Sequence, residues 1–196
     1  MRSRFALPVL LALPGLTLAL AGLFHPHHLT YDTSTRWWTL HVPGLLVFPL
    51  VGVALAALMR GRSDTLAWVV RLAAYTYATF YTALDVINGI AAGYVTHDLG
   101  PGVPRSVEIR SLFDIGRPIG DVGEWALIAT CLAVLVDQVL QRRWWAVPAV
   151  ALLPGAWLVR SDHIFSPMGT LGMVLIGLGT GYLAWSAEHS RAQEIH

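Results

Sequence analysis

The sequence predicts an all-α, polytopic membrane helix bundle with about six transmembrane helices. Apolar residues make up 55% of the 196 residues and charged residues only 13%, whereas a water-soluble domain carries about 25% charged residues. Several apolar stretches approach the length of about 20 residues that a helix needs to cross a bilayer. The chain has too little polar surface for a water-soluble globule, and we expect a single transmembrane domain over residues 1–196.

Six stretches are interpreted in chain order as transmembrane helices, at residues 5–24, 39–59, 65–95, 120–140, 144–160 and 167–186. The first follows two arginines, as the apolar part of a signal peptide does, but we treat it as a retained helix. The charged turn RGRSD separates the second from the third, and a long loop with glycine and proline separates the third from the fourth. The fifth is short and carries two prolines, and the sixth is rich in glycine.

The placement of arginine predicts that both termini are cytoplasmic, because cytoplasmic loops carry an excess of basic residues. In this topology the inner side receives seven arginines, namely Arg2, Arg4, Arg60, Arg62, Arg142, Arg143 and Arg191. The outer side receives five, namely Arg36, Arg105, Arg110, Arg117 and Arg160. All eight tryptophans fall near a predicted helix end, as interfacial rings do. We therefore expect a multi-pass protein of a bacterial-type inner membrane.

Composition excludes several classes of function. The net charge of +1 makes nucleic acid a poor partner, and the 13 basic residues are all arginine. Without lysine, the chain cannot form a Schiff base with retinal or pyridoxal phosphate. Cys131 is the single cysteine, which rules out an internal disulfide, a CxxCH haem attachment and a thiolate-rich zinc site.

Histidines are concentrated on one predicted membrane face. Six of the eight map to the outer side, namely His25, His27, His28, His41, His97 and His163. Imidazole is a common metal ligand, and carboxylates often bind the metal or orient the ring. We predict a metal site formed by His28, His41 and His163 with Asp162. His41 is expected to anchor it from the first turn of the second helix, and His25 is the weakest candidate of its group.

Two carboxylates are candidates for acid/base chemistry. On the third helix Tyr77, Tyr81, Asp85 and Asn88 are spaced by four, four and three residues, so they share one face. A carboxylate within the bilayer is costly and usually faces a cavity or a partner. We expect Asp85 to face the interior, with a hydrogen bond to one of the other three. Glu124, near the outer end of the fourth helix, is the second candidate.

The predicted function is a metal-dependent membrane enzyme that acts on a lipid-like or amphipathic substrate from the outer face. The cofactor would be a metal ion, and the ligand types do not distinguish zinc, copper and haem iron. Two other interpretations remain open. The chain could be a non-catalytic accessory subunit of a larger membrane complex, or a haem- or quinone-linked redox protein or small transporter.

Membrane lipids are the expected partners, and one helix face suggests a further contact. Gly177 and Gly181 form a GxxxG spacing in the sixth helix. Such glycines let two helices approach closely, either within one chain or between protomers. The spacing is consistent with tight packing and with a homo-oligomer or larger complex. The stretch RSVEIRSLF (105–113) is predicted to lie on the membrane surface as a separate short segment.

Overall fold

The computed structural model describes residues 5–103, 106–141 and 144–193, with the side chains of 144–146 and 190–193 left out. These ranges contain helices and connections, and no strand. Several arginines that predict the orientation lie outside the described residues, namely Arg2, Arg4, Arg105, Arg142 and Arg143. The side chain of Arg191 is also outside the description.

The described residues form seven α-helices: α1 (Ala6–Phe24), α2 (Tyr31–Ala57), α3 (Thr65–Leu84), α4 (Ala92–Asp98), α5 (Val107–Leu140), α6 (Leu152–Asp162) and α7 (Met168–Gln193). A π-helical segment, Asp85–Ala91, joins α3 to α4 without a break, so the helical path continues from Thr65 to Asp98. A 3-10 segment, Trp144–Ala151, leads directly into α6.

The helices form a closed ring. Along it α1 packs against α2, α2 against α3, α3 against α5, α5 against α6, α6 against α7, and α7 against α1. The connections 25–30 and 163–167 meet at one end of the ring, here called the histidine end. The connection 58–64 contacts the last turns of α5 at the opposite end, here called the Arg62 end. Tyr77, Phe48 and Leu127 fill the centre.

Within the described parts of the chain, four helices are long and apolar enough to cross a membrane: Ala6–Phe24, Tyr31–Ala57, Val107–Leu140 and Met168–His189. Their outward faces carry large apolar side chains, among them Leu46, which is 74% exposed. A ring of helices that buries polar groups inside and exposes leucine outside matches a lipid environment better than water.

Two helices begin well before their predicted starts, because capping residues precede them. The Thr30 and Thr33 side chains form a capping box that starts α2 at Tyr31 instead of residue 39. The Ser106 side chain accepts from the backbone N–H of Ile109 at 3.4 Å and starts α5 at Val107 instead of residue 120. The stretch after residue 106 is therefore the beginning of α5 and not a separate surface segment.

The earlier start of α2 changes the position of His41. It lies in the third turn of α2, whereas the sequence predicts the first turn. The ring is consequently deeper in the bundle, where only 5% of the residue is exposed.

The π-helical segment changes which side chains share a face with Asp85. A π turn inserts one extra residue and rotates the positions that follow it. Asn88 thereby turns towards α5, where its side chain lies against Gly116. The Asn88 carbonyl accepts a hydrogen bond from the Trp37 indole N–H at 3.0 Å. This bond across helices stabilises the irregular turn.

The GxxxG face of α7 packs within the chain. A Cβ atom at Gly177 would lie 3.0 Å from the carbonyl oxygen of Ala12, and one at Gly181 would lie 3.0 Å from that of Pro8. Both glycines therefore allow α1 and α7 to approach closely. Of the two uses that the spacing allows, this one is observed, and α1 covers the face.

The Arg62 end is held by a fully paired ionic network. The Arg62 guanidinium donates to the buried carboxylate of Asp137 and, at 2.8 and 3.0 Å, to Asp64. Asp137 also accepts from the Gln138 and Gln141 side chains. The Arg71 guanidinium donates to the backbone carbonyls that follow α2. A buried carboxylate with this many donors is a structural element.

We predict that Asp137→Asn lowers the stability of the fold by about 1–3 kcal/mol, because a buried charge-assisted hydrogen bond is lost while Arg62 keeps Asp64. The measurement is the apparent Tm of the purified protein in detergent. Asp64→Asn is the matched control at the exposed side of the same arginine and should shift Tm less. Equal shifts would contradict the assignment of Asp137 as the main partner.

A second prediction concerns acid stability. Hydrogen bonds from the Arg62 guanidinium hold the pKa of Asp64 at about 2, below its usual 3.8. The folded state therefore gains stability from this carboxylate above its unfolded pKa, and loses it as the pH falls through the folded value. The difference in Tm between the wild type and Asp64→Asn should be constant near neutral pH and disappear between roughly pH 4 and pH 2. A difference that persists at the acid limit would argue against the shift.

Candidate metal centre

Three histidines converge at the histidine end from three different elements. His25 follows α1, His41 belongs to α2, and His163 follows α6. One ring nitrogen from each lies within 4.8 Å of the others. His25 and His41 are each 5% exposed, and His163 is partly buried. Three imidazoles in this proximity form a candidate metal centre.

Backbone carbonyls determine which nitrogen of two rings is free. Nδ1 of His25 lies 2.8 Å from the carbonyl oxygen of Pro26, and Nδ1 of His41 lies 2.7 Å from that of Trp37. A carbonyl oxygen only accepts hydrogen bonds, so in each neutral ring Nδ1 carries the proton. The other nitrogen, Nε2, then carries a lone pair in both rings. Metal-binding histidines commonly show this arrangement.

The two free nitrogens face each other. Nε2 of His25 and Nε2 of His41 are 3.4 Å apart. With no proton on either atom, this contact is not a hydrogen bond and brings two lone pairs together. Two imidazole ligands at about 2.0–2.1 Å from a tetrahedral zinc ion would be separated by roughly 3.4 Å. The spacing therefore suits a cation bound between them.

Tyr81 orients the third ring. Its hydroxyl forms a hydrogen bond with Nδ1 of His163, and in the tautomer that donates from Nδ1 the lone pair of Nε2 is left for a ligand. The backbone of His163 has φ of 52°, in the left-handed region that a residue other than glycine seldom adopts. This conformation ends α6 and directs the ring into the bundle. Strain of this kind is often found at functional sites.

Asp85 is the carboxylate nearest to the cluster. Its Oδ1 lies 3.6 Å from Nε2 of His41, and the residue is 1% exposed. Neither carboxylate oxygen has a hydrogen-bond partner among the described residues. A buried carboxylate without donors is costly unless a cation or a bound water compensates it. Its location confirms the predicted interior position.

The predicted hydrogen bond from Asp85 to its helical neighbours is absent among the described residues. Tyr81 binds His163 instead, and the π turn directs Asn88 to α5. The Tyr77 hydroxyl has no partner among the described atoms. His41, from the adjacent helix, takes the place that the sequence assigned to these residues.

A cavity of about 410 Å³ opens beside the cluster. His41, Asp85 and His163 form one wall. The remaining wall combines aromatic rings with charged groups, namely Trp37, Phe113, Phe165, Arg117, Asp121, Glu124, Arg160 and Asp162. A cavity that combines aromatic rings with convergent polar and charged groups suits an organic ligand that has both an apolar part and a polar part.

Glu124 lies at the rim of this cavity and is paired with Arg160. One Nη1 atom of Arg160 donates at 2.9 Å to Glu124 and at 2.9 Å to Asp121. The guanidinium also stacks over the Trp125 ring, 4.5 Å from its centroid. This group of side chains connects α5 to α6 across the cavity mouth.

The structure brings together only part of the predicted ligand set. His41 and His163 are in the cluster, whereas His28 and Asp162 are exposed and outside it. The His28 carbonyl accepts from Thr33 at 2.7 Å and so supports the start of α2. Asp162 lines the cavity but is not part of the three-histidine group.

His25 is the histidine that the sequence ranked as the weakest candidate of its group, and it lies in a connection. It directly follows α1, however, and its ring is enclosed by Trp37 at 4.8 Å and Phe165 at 4.7 Å between ring centroids. In the sequence, His25 directly follows an apolar helix, and this is the one sequence feature that favours an ordered position.

Small residues make room for the cluster. A Cβ atom at Gly89 would overlap the His41 ring, and one at Gly44 would lie 2.8 Å from the Asp85 carboxylate. Glycine is therefore required where the π-helical segment meets α2. The close approach holds the His41 and Asp85 side chains in place.

We predict that Gly89→Ala displaces the His41 ring and lowers the metal affinity by at least about 10–100-fold. This is the loss that is typical when a contact that supports a metal ligand is removed. The measurement is metal titration of the purified protein. Gly120→Ala is the matched control, because its Cβ would meet the flexible end of Leu84 in the same cavity. Similar affinities for both variants would argue against a cluster built on His41.

Comparison of the chain with protein family models, with curated proteins and with solved structures finds no match. The geometry of the three histidines and Asp85 is therefore the basis for the functional assignment that follows.

Proposed function

We propose that the protein is an integral membrane hydrolase that binds one zinc ion through His25, His41 and His163. The observation that carries the proposal is the facing pair of Nε2 atoms at 3.4 Å, with each Nδ1 held by a backbone carbonyl. Three histidines and an open fourth position are a common ligand set of catalytic zinc.

The membrane arrangement supports the same interpretation. Six helical passes with both termini cytoplasmic would put the cluster at the outer face. The four helices that qualify as spans and the ring-shaped packing favour this topology. Reporter fusions after α7 and within the connection from α4 to α5 test it, and they should report opposite sides. Reports from the same side would exclude six passes.

The proposed reaction is hydrolysis of an acyl ester or amide in an amphipathic substrate. A zinc ion held by His25, His41 and His163 would lower the pKa of a bound water and would polarise the carbonyl group. Asp85 accepts one proton from the water while the oxygen of the water forms a bond to the acyl carbon. The bond from that carbon to the leaving oxygen or nitrogen then breaks, and Asp85 returns the proton to the leaving atom. One water is consumed and two products form.

Zinc is preferred over haem iron because of the space around the three rings. A porphyrin would need a flat slot, free of other side chains, beside the imidazole that binds its iron. Here a third imidazole lies within 4.8 Å of the facing pair. Copper shares the imidazole preference, and metal analysis with an absorption spectrum of the purified protein distinguishes the metals. Stoichiometric zinc supports the proposal, whereas a Soret band, copper or no metal overturns it.

We predict that His25→Ala and His41→Ala each remove most of the bound metal, because each deletes one of about three ligands. The measurement is elemental analysis of folded protein. His28→Ala is the matched control: it changes an exposed ring in the same connection and should retain the metal. Retention in His25→Ala with loss in His28→Ala would reverse the assignment.

Asp85→Asn should keep the metal but lower the hydrolytic rate by roughly 10²–10⁴-fold, because the amide cannot accept the proton. Products formed from a mixture of acyl lipids are measured by mass spectrometry, with and without a chelator. Loss of metal in this variant would make Asp85 a ligand instead of a base. Hydrolysis that continues in the presence of the chelator would contradict a zinc mechanism.

A further inference from the structure

A second, nearly all-apolar groove lies on the outside of the bundle between α5 and α6. It has a volume of about 460 Å³ and is lined by Ile128, Leu153, Pro154, Trp157 and Leu158. The groove faces the region that lipid would occupy if the helices cross a membrane. It is distinct from the metal cavity, which contains none of these residues.

The groove and the metal cavity meet at one group of side chains. Arg160, which lines the cavity, stacks over Trp125, and Trp125 contacts the edge of Trp157 with ring centroids 6.4 Å apart. Trp157 in turn lines the groove. The three side chains Trp125, Trp157 and Arg160 are called the aromatic gate below.

The register along both helices places the groove directly beneath the cavity rim. Ile128 follows Glu124 by four residues on α5, which is about 6 Å along the helix axis. On α6, Trp157 and Arg160 follow Leu153 by four and seven residues and share its face. A chain that leaves the cavity past the aromatic gate would enter the groove within one helical turn.

We propose that this groove holds the acyl chain of the amphipathic substrate while its polar head lies in the metal cavity. The inference rests on the proposed hydrolase function and adds the substrate class, a bilayer amphiphile with a hydrocarbon chain. The contacts among Arg160, Trp125 and Trp157, which join the lining of the cavity to that of the groove, support it. So does the change in lining from charged and aromatic in the cavity to almost entirely hydrocarbon in the groove.

Photo-crosslinking tests the proposal. The probe is a phosphatidylcholine that carries a diazirine in one acyl chain, diluted into vesicles of unlabelled phosphatidylcholine containing the full chain. We expect labelling of peptides with Ile128, Leu153 and Leu158 to exceed, several-fold, labelling at Leu46 and Leu72. Those two side chains are 74% and 61% exposed, so random contact with lipid would favour them. If the labelling at each position instead increases with the exposed fraction of the side chain, the proposal is overturned.

Two variants separate this inference from the metal proposal. Leu153→Phe narrows the groove and should remove most of the excess labelling while the metal content stays unchanged. Leu46→Phe is its matched control on α2 and should change neither quantity. His41→Ala should lose the metal but keep the labelling. If the groove labels as expected while wild-type protein holds no metal, the hydrolase proposal fails and the acyl-chain site remains. If Leu153→Phe keeps the excess, the acyl-chain site is excluded.

Discussion

The facing Nε2 atoms of His25 and His41 are the constraint on which the histidine end depends. Two backbone carbonyls direct a proton onto each Nδ1, so two lone pairs meet at 3.4 Å in a buried position. Lone pairs in this arrangement repel unless a cation lies between them. The third ring and the unpaired Asp85 carboxylate surround the same point. One bound divalent ion would compensate all of these groups.

The buried carboxylates at the two ends of the bundle differ in their hydrogen bonding. At the Arg62 end, Asp137 accepts hydrogen bonds from one guanidinium and two amides, and nothing is left unpaired on it. At the histidine end, Asp85 is equally buried but has no donor among the described residues. A satisfied network stabilises the fold, whereas an unsatisfied group is retained where it contributes to function. This contrast favours chemistry at one end only.

The scaffold around the cluster explains how such groups remain in place. Glycines at positions 44 and 89 allow α2 and the π-helical segment to approach closely. The Trp37 indole N–H donates a hydrogen bond to the Asn88 carbonyl in that segment, and the indole ring also packs against His25. Tyr81 holds the ring of His163. Rigid elements thus orient each of the three rings from outside the cluster, which would reduce the entropy lost if they bind a metal ion.

The sequence alone determined the helical class and the apolar exterior, and it selected His41, His163 and Asp85 as candidate site residues. These inferences follow from composition and helical spacing. It could not determine the helix starts at Tyr31 and Val107, where capping by Thr30 and Ser106 outweighs hydropathy. It could not choose between His25 and His28, since only packing against Trp37 and Phe165 orders His25. The pairing of Asp85 with His41, and not with its own helix, was decided by tertiary structure. A π turn rotates the face that regular periodicity assumes, and contacts between helices far apart in sequence leave no spacing signal along the chain.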